Sequence, residues 1–314
     1  MALHQKFTNK ILSWGPVDFT IRISKKLVLP GFDKIPLYDV AVFFIRGLSQ
    51  GYLTTRAAAV SFSVFLAIFP FLIFLFSIIP FIPIANFQQS LLDLIRDFMP
   101  RMAFESVKET IIDIVTRPRS SILILNLILS LYFSTNGVNS LIEAFNNTYH
   151  DFETRSNFKQ YLISLVIVFS ISLLLIAAIG LITFGSSLLR LILSHTIASS
   201  GFLTFLMQVL RWLIILGLLL MAISTVYYLA PARLHHFRFV SAGSMLATFL
   251  IVVATLGFDF YLNNFSRYNA LYGSLGTLMI VLVWIYLNAL AVLIGFELNA
   301  SIRTAGTGKT IGKP

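Results

Sequence analysis

Residues 131–145, LYFSTNGVNSLIEAF, put Ser134, Thr135, Asn136 and Gly137 at the end of a long apolar run, with Asn139 and Ser140 just after. Hydrogen-bonding groups in hydrocarbon are costly unless they meet partners or water. The chemistry such groups offer is recognition of a polar head or the joining of helices. Projection at roughly 100° per residue places Asn126, Ser130, Ser134, Gly137 and Ser140 within about 120°, with Asn136 and Asn139 on a neighbouring face. Two further apolar stretches behave alike. Ser241, Ser244, Thr248, Thr255 and Asp259 fall within about 60°. Gly273, Thr277, Trp284, Asn288, Gly295 and Asn299 fall within about 80°. Two readings compete. Small and hydroxyl residues let helices approach and bond to one another. Alternatively, the three stripes converge on one polar cavity. Asn126, Asn136, Asn139 and Asn288 weigh toward the cavity, because an amide costs more to bury than a hydroxyl.

Four ionisable residues sit where apolar stretches begin or end. Arg56 opens the first stretch, and snorkelling to the interface is its plain reading. Asp259 continues a polar stripe, Arg267 follows in a loop, and Glu297 closes the last stretch, opposite its stripe. Ionisable groups at membrane depth are functional candidates by default, and Arg56 and Arg267 are candidates for contact with lipid head groups. Pro70, within SFSVFLAIFPFLIF, withdraws a donor from its helix and marks a kink or hinge.

Catalytic signatures do not assemble. His4, His150, His195, His235 and His236 form no HExxH or two-His, one-carboxylate spacing. GTGKT at 306–310 lacks the first glycine of a phosphate loop and any preceding strand. No nucleophile–base pair stands out, no cysteine is present for thiolate chemistry, and no cofactor or metal is expected.

The elements that position these residues follow from composition. Of 314 residues, 57% are hydrophobic and 11% charged, whereas soluble domains run near a quarter charged. The chain is therefore expected to be an all-α, polytopic membrane bundle. Seven stretches lack Asp, Glu, Lys and Arg: 57–92, 120–142, 160–189, 191–210, 212–232, 239–258 and 268–296. The fourth contains SHTIASSG and reads as a loop tip, which leaves six spans. Membrane-domain boundaries are expected at 37 and 303, with tails at 1–36 and 304–314. Leu37–Gln50 reads as an interfacial amphipathic helix. Residues 87–115 read as two more, broken at Pro100. The start, MALHQKFTNK, lacks the apolar core of a signal peptide, so the first span is expected to act as the insertion signal.

The net charge is +10, and eight of 23 Lys and Arg lie in residues 1–56. With six spans, one side of the membrane holds 15 of them and the other 8. The positive-inside rule then places both termini in the cytoplasm. The charge is read as this signal rather than as a nucleic-acid surface. Attraction to anionic lipid heads is compatible with it.

RAAAVSFSVFLAIFPFLIF (56–74), LYFSTNGVNSLIEAFNNTY (131–149), LAPARLHHFRFVSAGSMLAT (229–248) and YNALYGSLGTLMIVLVWIYLNALAVLIGFELNA (268–300) resemble the YihY/BrkB family of bacterial inner-membrane proteins. The resemblance spans about residues 40–303, and YGSLG…W-x-Y…GFELNA is its most specific part. The family's former label, ribonuclease BN, finds no nuclease site here. The resemblance implies residence in the inner membrane and transport of lipids or lipid-linked envelope components. It points to Arg56, Pro70, Ser134, Asn136, Gly137, Asn146, Tyr272, Gly273, Ser274, Gly276, Glu297 and Asn299. Where the family usually has Ala-Tyr-Tyr in its first span, this chain has Ser61-Phe62-Ser63.

The expected function is a non-enzymatic transporter or flippase, passing a polar head group along a groove while the tails stay in lipid. A membrane scaffold or regulatory protein of the envelope is the alternative. Membrane lipids are the expected partners, with further copies of the chain or envelope proteins as other candidates.

Overall fold

A computed structural model describes residues 22–29, 31–78, 120–148, 155–193, 200–231, 239–265 and 274–306. Among them the fold is helical: α1 Leu37–Gln50, α2 Leu53–Ile78, α3 Ser120–Asn146, α4 Asn157–Leu193, α5 Ser200–Leu229, α6 Ala242–Phe265 and α7 Ser274–Gly306. Lengths of 24 to 37 residues for α2 to α7 correspond to about 36–55 Å at 1.5 Å per residue, enough to cross a bilayer. By length and apolar composition, α2, α4, α5, α6 and α7 each hold a candidate span. The stripe of Asn, Ser and Thr in α3 dilutes its hydropathy, yet α3 lies between α2 and α4. The chain is thus a multi-pass membrane protein, with six long helices among the described residues.

Those six form a ring. Each of α2 to α6 packs on the next helix, and α7 returns to α2. Across the ring, among the described residues, α3 meets α7, and Tyr227 of α5 reaches both. The amphipathic α1 does not lie apart as a purely interfacial helix. It packs on α7, burying Val40 and Gly47. Phe32, Val40, Ala242 and Ile302 form a small apolar cluster there.

One end of the ring, the proximal end, gathers residues 31–36, Thr148, Arg155, Ala230–Pro231 and Ser241. Side-chain bonds and packing tie them to one another and to the end of α7. This is the grouping of tails and loops that six spans require. Burial concentrates in this half. Phe145, Tyr227 and Phe296, from α3, α5 and α7, meet at its centre, with Phe145 and Phe296 stacked 4.1 Å apart. Away from it, no described residue of 68–73, 168–178, 210–222, 249–261 or 278–284 is buried.

Two boundaries are refined. The second span continues as helix to Asn146, and the last continues past residue 303 to Gly306, which lies against Ile35. Within 191–210, α4 ends at Leu193 and α5 begins at Ser200. Residues 194–199 lie outside the described residues, as do 87–115.

Candidate functional site

Among the described residues, Glu297 is the most buried ionisable group, fully enclosed on α7. Three elements meet it at the proximal end. Arg56, in the first turn of α2, brings Nη1 to 3.8 Å from Oε2. Thr148, just past α3, donates its hydroxyl to both carboxylate oxygens at 2.9 and 3.0 Å. Gly47 of α1 presses its backbone so close that a Cβ there would overlap the carboxylate. Ser301 donates back to the Glu297 carbonyl at 2.7 Å.

Arg56 is only 9% exposed, so it does not snorkel to the surface as a lipid-facing arginine would. The reason is local. An arginine side chain points toward the N-terminus of its helix, and here that direction leads to Gly51, whose carbonyl accepts from Nη1 at 2.9 Å. The C-terminal end of α1 reaches the same place, with Gly47 against Glu297 and its C-cap Gly51 against Arg56.

A second cluster joins α6 to α7. Asn299 accepts from the Gly243 amide at 2.8 Å and donates to Ser241 Oγ at 2.8 Å. Ser241 and Ser244 exchange backbone and side-chain bonds that cap α6. Gly243 and Gly295 are in backbone contact, since a Cβ on either would strike the other's carbonyl. Tyr227 reaches from α5 to donate to the Val292 carbonyl at 2.5 Å.

A third cluster uses the proximal half of α3. Ser140 and Ser63 share a hydrogen bond of 2.8 Å, and Gly137 lies against Ser63 and Val64. Gln160 donates to Asn139, which donates to Glu143, at 2.8 and 2.9 Å. Nearby, Arg155 donates to the carbonyls of Leu229, Ala230 and Pro231 and so closes the end of α5. Partial burial holds its guanidinium below the ordinary arginine value.

The expected convergence of three stripes on one cavity is therefore not the arrangement at the proximal end. The stripe of α3 meets α2, and those of α6 and α7 meet each other. Small residues let those pairs approach, so their polar groups find partners in the adjacent helix. Ser130 and Thr248 bond back to carbonyls of their own helices, and Asn288 bonds back to Trp284. Asn126 is buried. Ser134, Asn136 and Asn146 are half-buried, while Thr255 and Asp259 are exposed. Pro70 stands inside α2, which continues to Ile78. Ser274 and Gly276 lie in the first turn of α7. Tyr272, Gly273 and Arg267 lie outside the described residues.

Sequence reading missed Thr148, Gly47 and Tyr227. Gly47 alone left a trace, as the one residue without a side chain within LYDVAVFFIRGLSQ. Among the described residues no three His, Asp or Glu side chains group as metal ligands would.

A profile of the family described as virulence factor BrkB matches residues 44–313. The ribonuclease-like protein YfkH of Bacillus subtilis is 29% identical over 247 residues, 78% of this chain and 88% of that protein. The UPF0761 membrane protein NTHI0384 of Haemophilus influenzae is 23% identical over 288 residues, 87% of this chain and 98% of that protein. A UPF0761 membrane protein of Actinobacillus pleuropneumoniae is 30% identical over 258 residues, covering 81% and 87%. No solved structure matches the chain. A six-helix membrane ring, matched along most of its length by this profile and by several membrane proteins, belongs to the BrkB family.

Proposed function

We infer that the chain is a non-enzymatic transporter or flippase of the bacterial inner membrane, with both termini cytoplasmic. Its cargo would be a lipid or another amphipathic envelope component. The observation that carries this reading is the asymmetry of the ring. Its proximal half is plugged by Phe145, Tyr227 and Phe296, while no described side chain of 68–73, 168–178, 210–222, 249–261 or 278–284 is buried. On α3, Asn126 and Ser130 are buried and Ser134 and Asn136 half-buried, while Thr255 and Asp259 on α6 are exposed. An exposed Asp259 at the distal end of the apolar run of α6 favours water or a polar head group over acyl chains. On this reading the ring is a vestibule open at the distal side and shut at the cytoplasmic side.

Reconstitution into liposomes with head-group-labelled phospholipids tests it. Wild-type protein moves label across the bilayer, and Asn136→Leu and Asp259→Leu lose most of that movement while keeping their elution profile. No movement of any head group by folded wild-type protein overturns lipid translocation.

The second reading, a scaffold or regulatory membrane protein, draws on the tight glycine contact of α6 with α7. It expects the chain to be inert in liposomes and to be recovered with envelope proteins after cross-linking in cells.

A further inference from the structure

Arg56 engages neighbours with only part of its guanidinium. Nη1 serves Gly51 and faces Glu297. Nε and Nη2 are buried and have no hydrogen-bond partner among the described residues. Those two nitrogens form the side edge of the guanidinium, the fork that grips a carboxylate or phosphate with two parallel bonds. A buried, unused fork is costly, because its donors have lost water and gained nothing.

The fork sits at a helix start. Because Nη1 reaches Gly51, the guanidinium lies over the N-terminal end of α2. The amides of Leu53, Thr54 and Thr55 have no hydrogen-bond acceptor among the described residues, and the first helical bond there is Arg56 to the Tyr52 carbonyl. Amides and helix dipole at such an end favour an anion. Tyr52 itself holds φ +47°, a left-handed conformation unusual for a bulky residue, and is 80% exposed. Ser49, Gln50, Thr54 and Thr55 are exposed beside it, so the turn between α1 and α2 offers a way in. Glu297 lies on the Nη1 side and compensates the buried charge without bonding Nε or Nη2.

We propose that the start of α2 and the Nε/Nη2 edge of Arg56 form a binding site for a phosphate oxyanion, from a phospholipid head group or from a free phosphate. The site does not depend on the transport reading, because occupancy is measured without movement of cargo.

The test uses the full chain in a maltoside detergent free of phosphate. Native mass spectrometry scores adducts with short-chain phosphatidylglycerol, with inorganic phosphate, and with a diacylglycerol of the same tails. One phosphate-bearing probe is expected to bind once per chain, more tightly than diacylglycerol. Binding of the lipid alone assigns a head-group site, and binding of inorganic phosphate assigns a soluble oxyanion. Arg56→Lys keeps the charge but not the fork, and should weaken binding about tenfold or more. Tyr52→Asp covers the case in which Arg56 variants do not fold. Aspartate tolerates the left-handed conformation and stands at the N-cap, where its carboxylate competes for the same donors. This variant should keep or raise the melting temperature and lose the adduct. Absence of binding by both phosphate probes overturns the proposal. So does wild-type affinity in folded Tyr52→Asp.

Discussion

At the scale of single residues, the ion pair of Arg56 and Glu297 governs the proximal end. Removing one member of a buried pair leaves the other charge unpaired, at about 3–5 kcal/mol. Glu297→Ala is therefore expected to lower stability by about 3 kcal/mol, read as a drop in unfolding midpoint in detergent. Replacing both partners by Met should recover much of that loss, since two apolar side chains leave no stranded charge. Thr148→Val removes the donor to both carboxylate oxygens and should cost about 1–2 kcal/mol. A loss in the double variant equal to the sum of the losses in the two single variants would show that the pair carries no coupling.

At the scale of elements, the glycines divide by what surrounds them. A Cβ at Gly243 would strike the Gly295 carbonyl, whereas one at Gly257, on the same helix, meets nothing within 4 Å. Gly243→Ala should force α6 from α7 at a cost of about 1–3 kcal/mol. Gly257→Ala should be neutral or stabilise by up to about 1 kcal/mol through helix propensity. Thermal unfolding of the two variants side by side checks this, and matched behaviour would contradict the close approach. Gly47→Ala belongs with Gly243→Ala, because the Glu297 carboxylate occupies the space a methyl group would need.

For the whole molecule, the ring requires that residues near positions 49, 156 and 306 share one side of the membrane and residue 120 the other. The chain has no cysteine, so single cysteines report topology without background. Ser49→Cys, Ser156→Cys and Gly306→Cys should react with an impermeant maleimide only after spheroplasts are opened. Ser120→Cys should react in intact ones. Labelling of residue 306 from outside would require an odd number of spans and undo the ring.

Apolar stretches long enough to span a bilayer declared six helices in the sequence itself. Six spans grouped the tails with the loops near residues 150 and 235, charge asymmetry gave that side its expected orientation, and periodicity marked α1. These properties are local, because a helix in lipid satisfies its own backbone and needs no partner to be recognised. The stripes were legible as polar faces for the same reason. Their partners were not. A projection shows which residues share a face but not which helix that face meets. The sequence alone therefore left Ser140 free to face α6 or α7, whereas packing set it on Ser63 of α2. Arg56 likewise reads as an interfacial arginine until α1 covers it and Glu297, far along the chain, arrives beside it. Tertiary structure decided those pairings, because the contact of side chains more than two hundred residues apart depends on how whole helices close the ring.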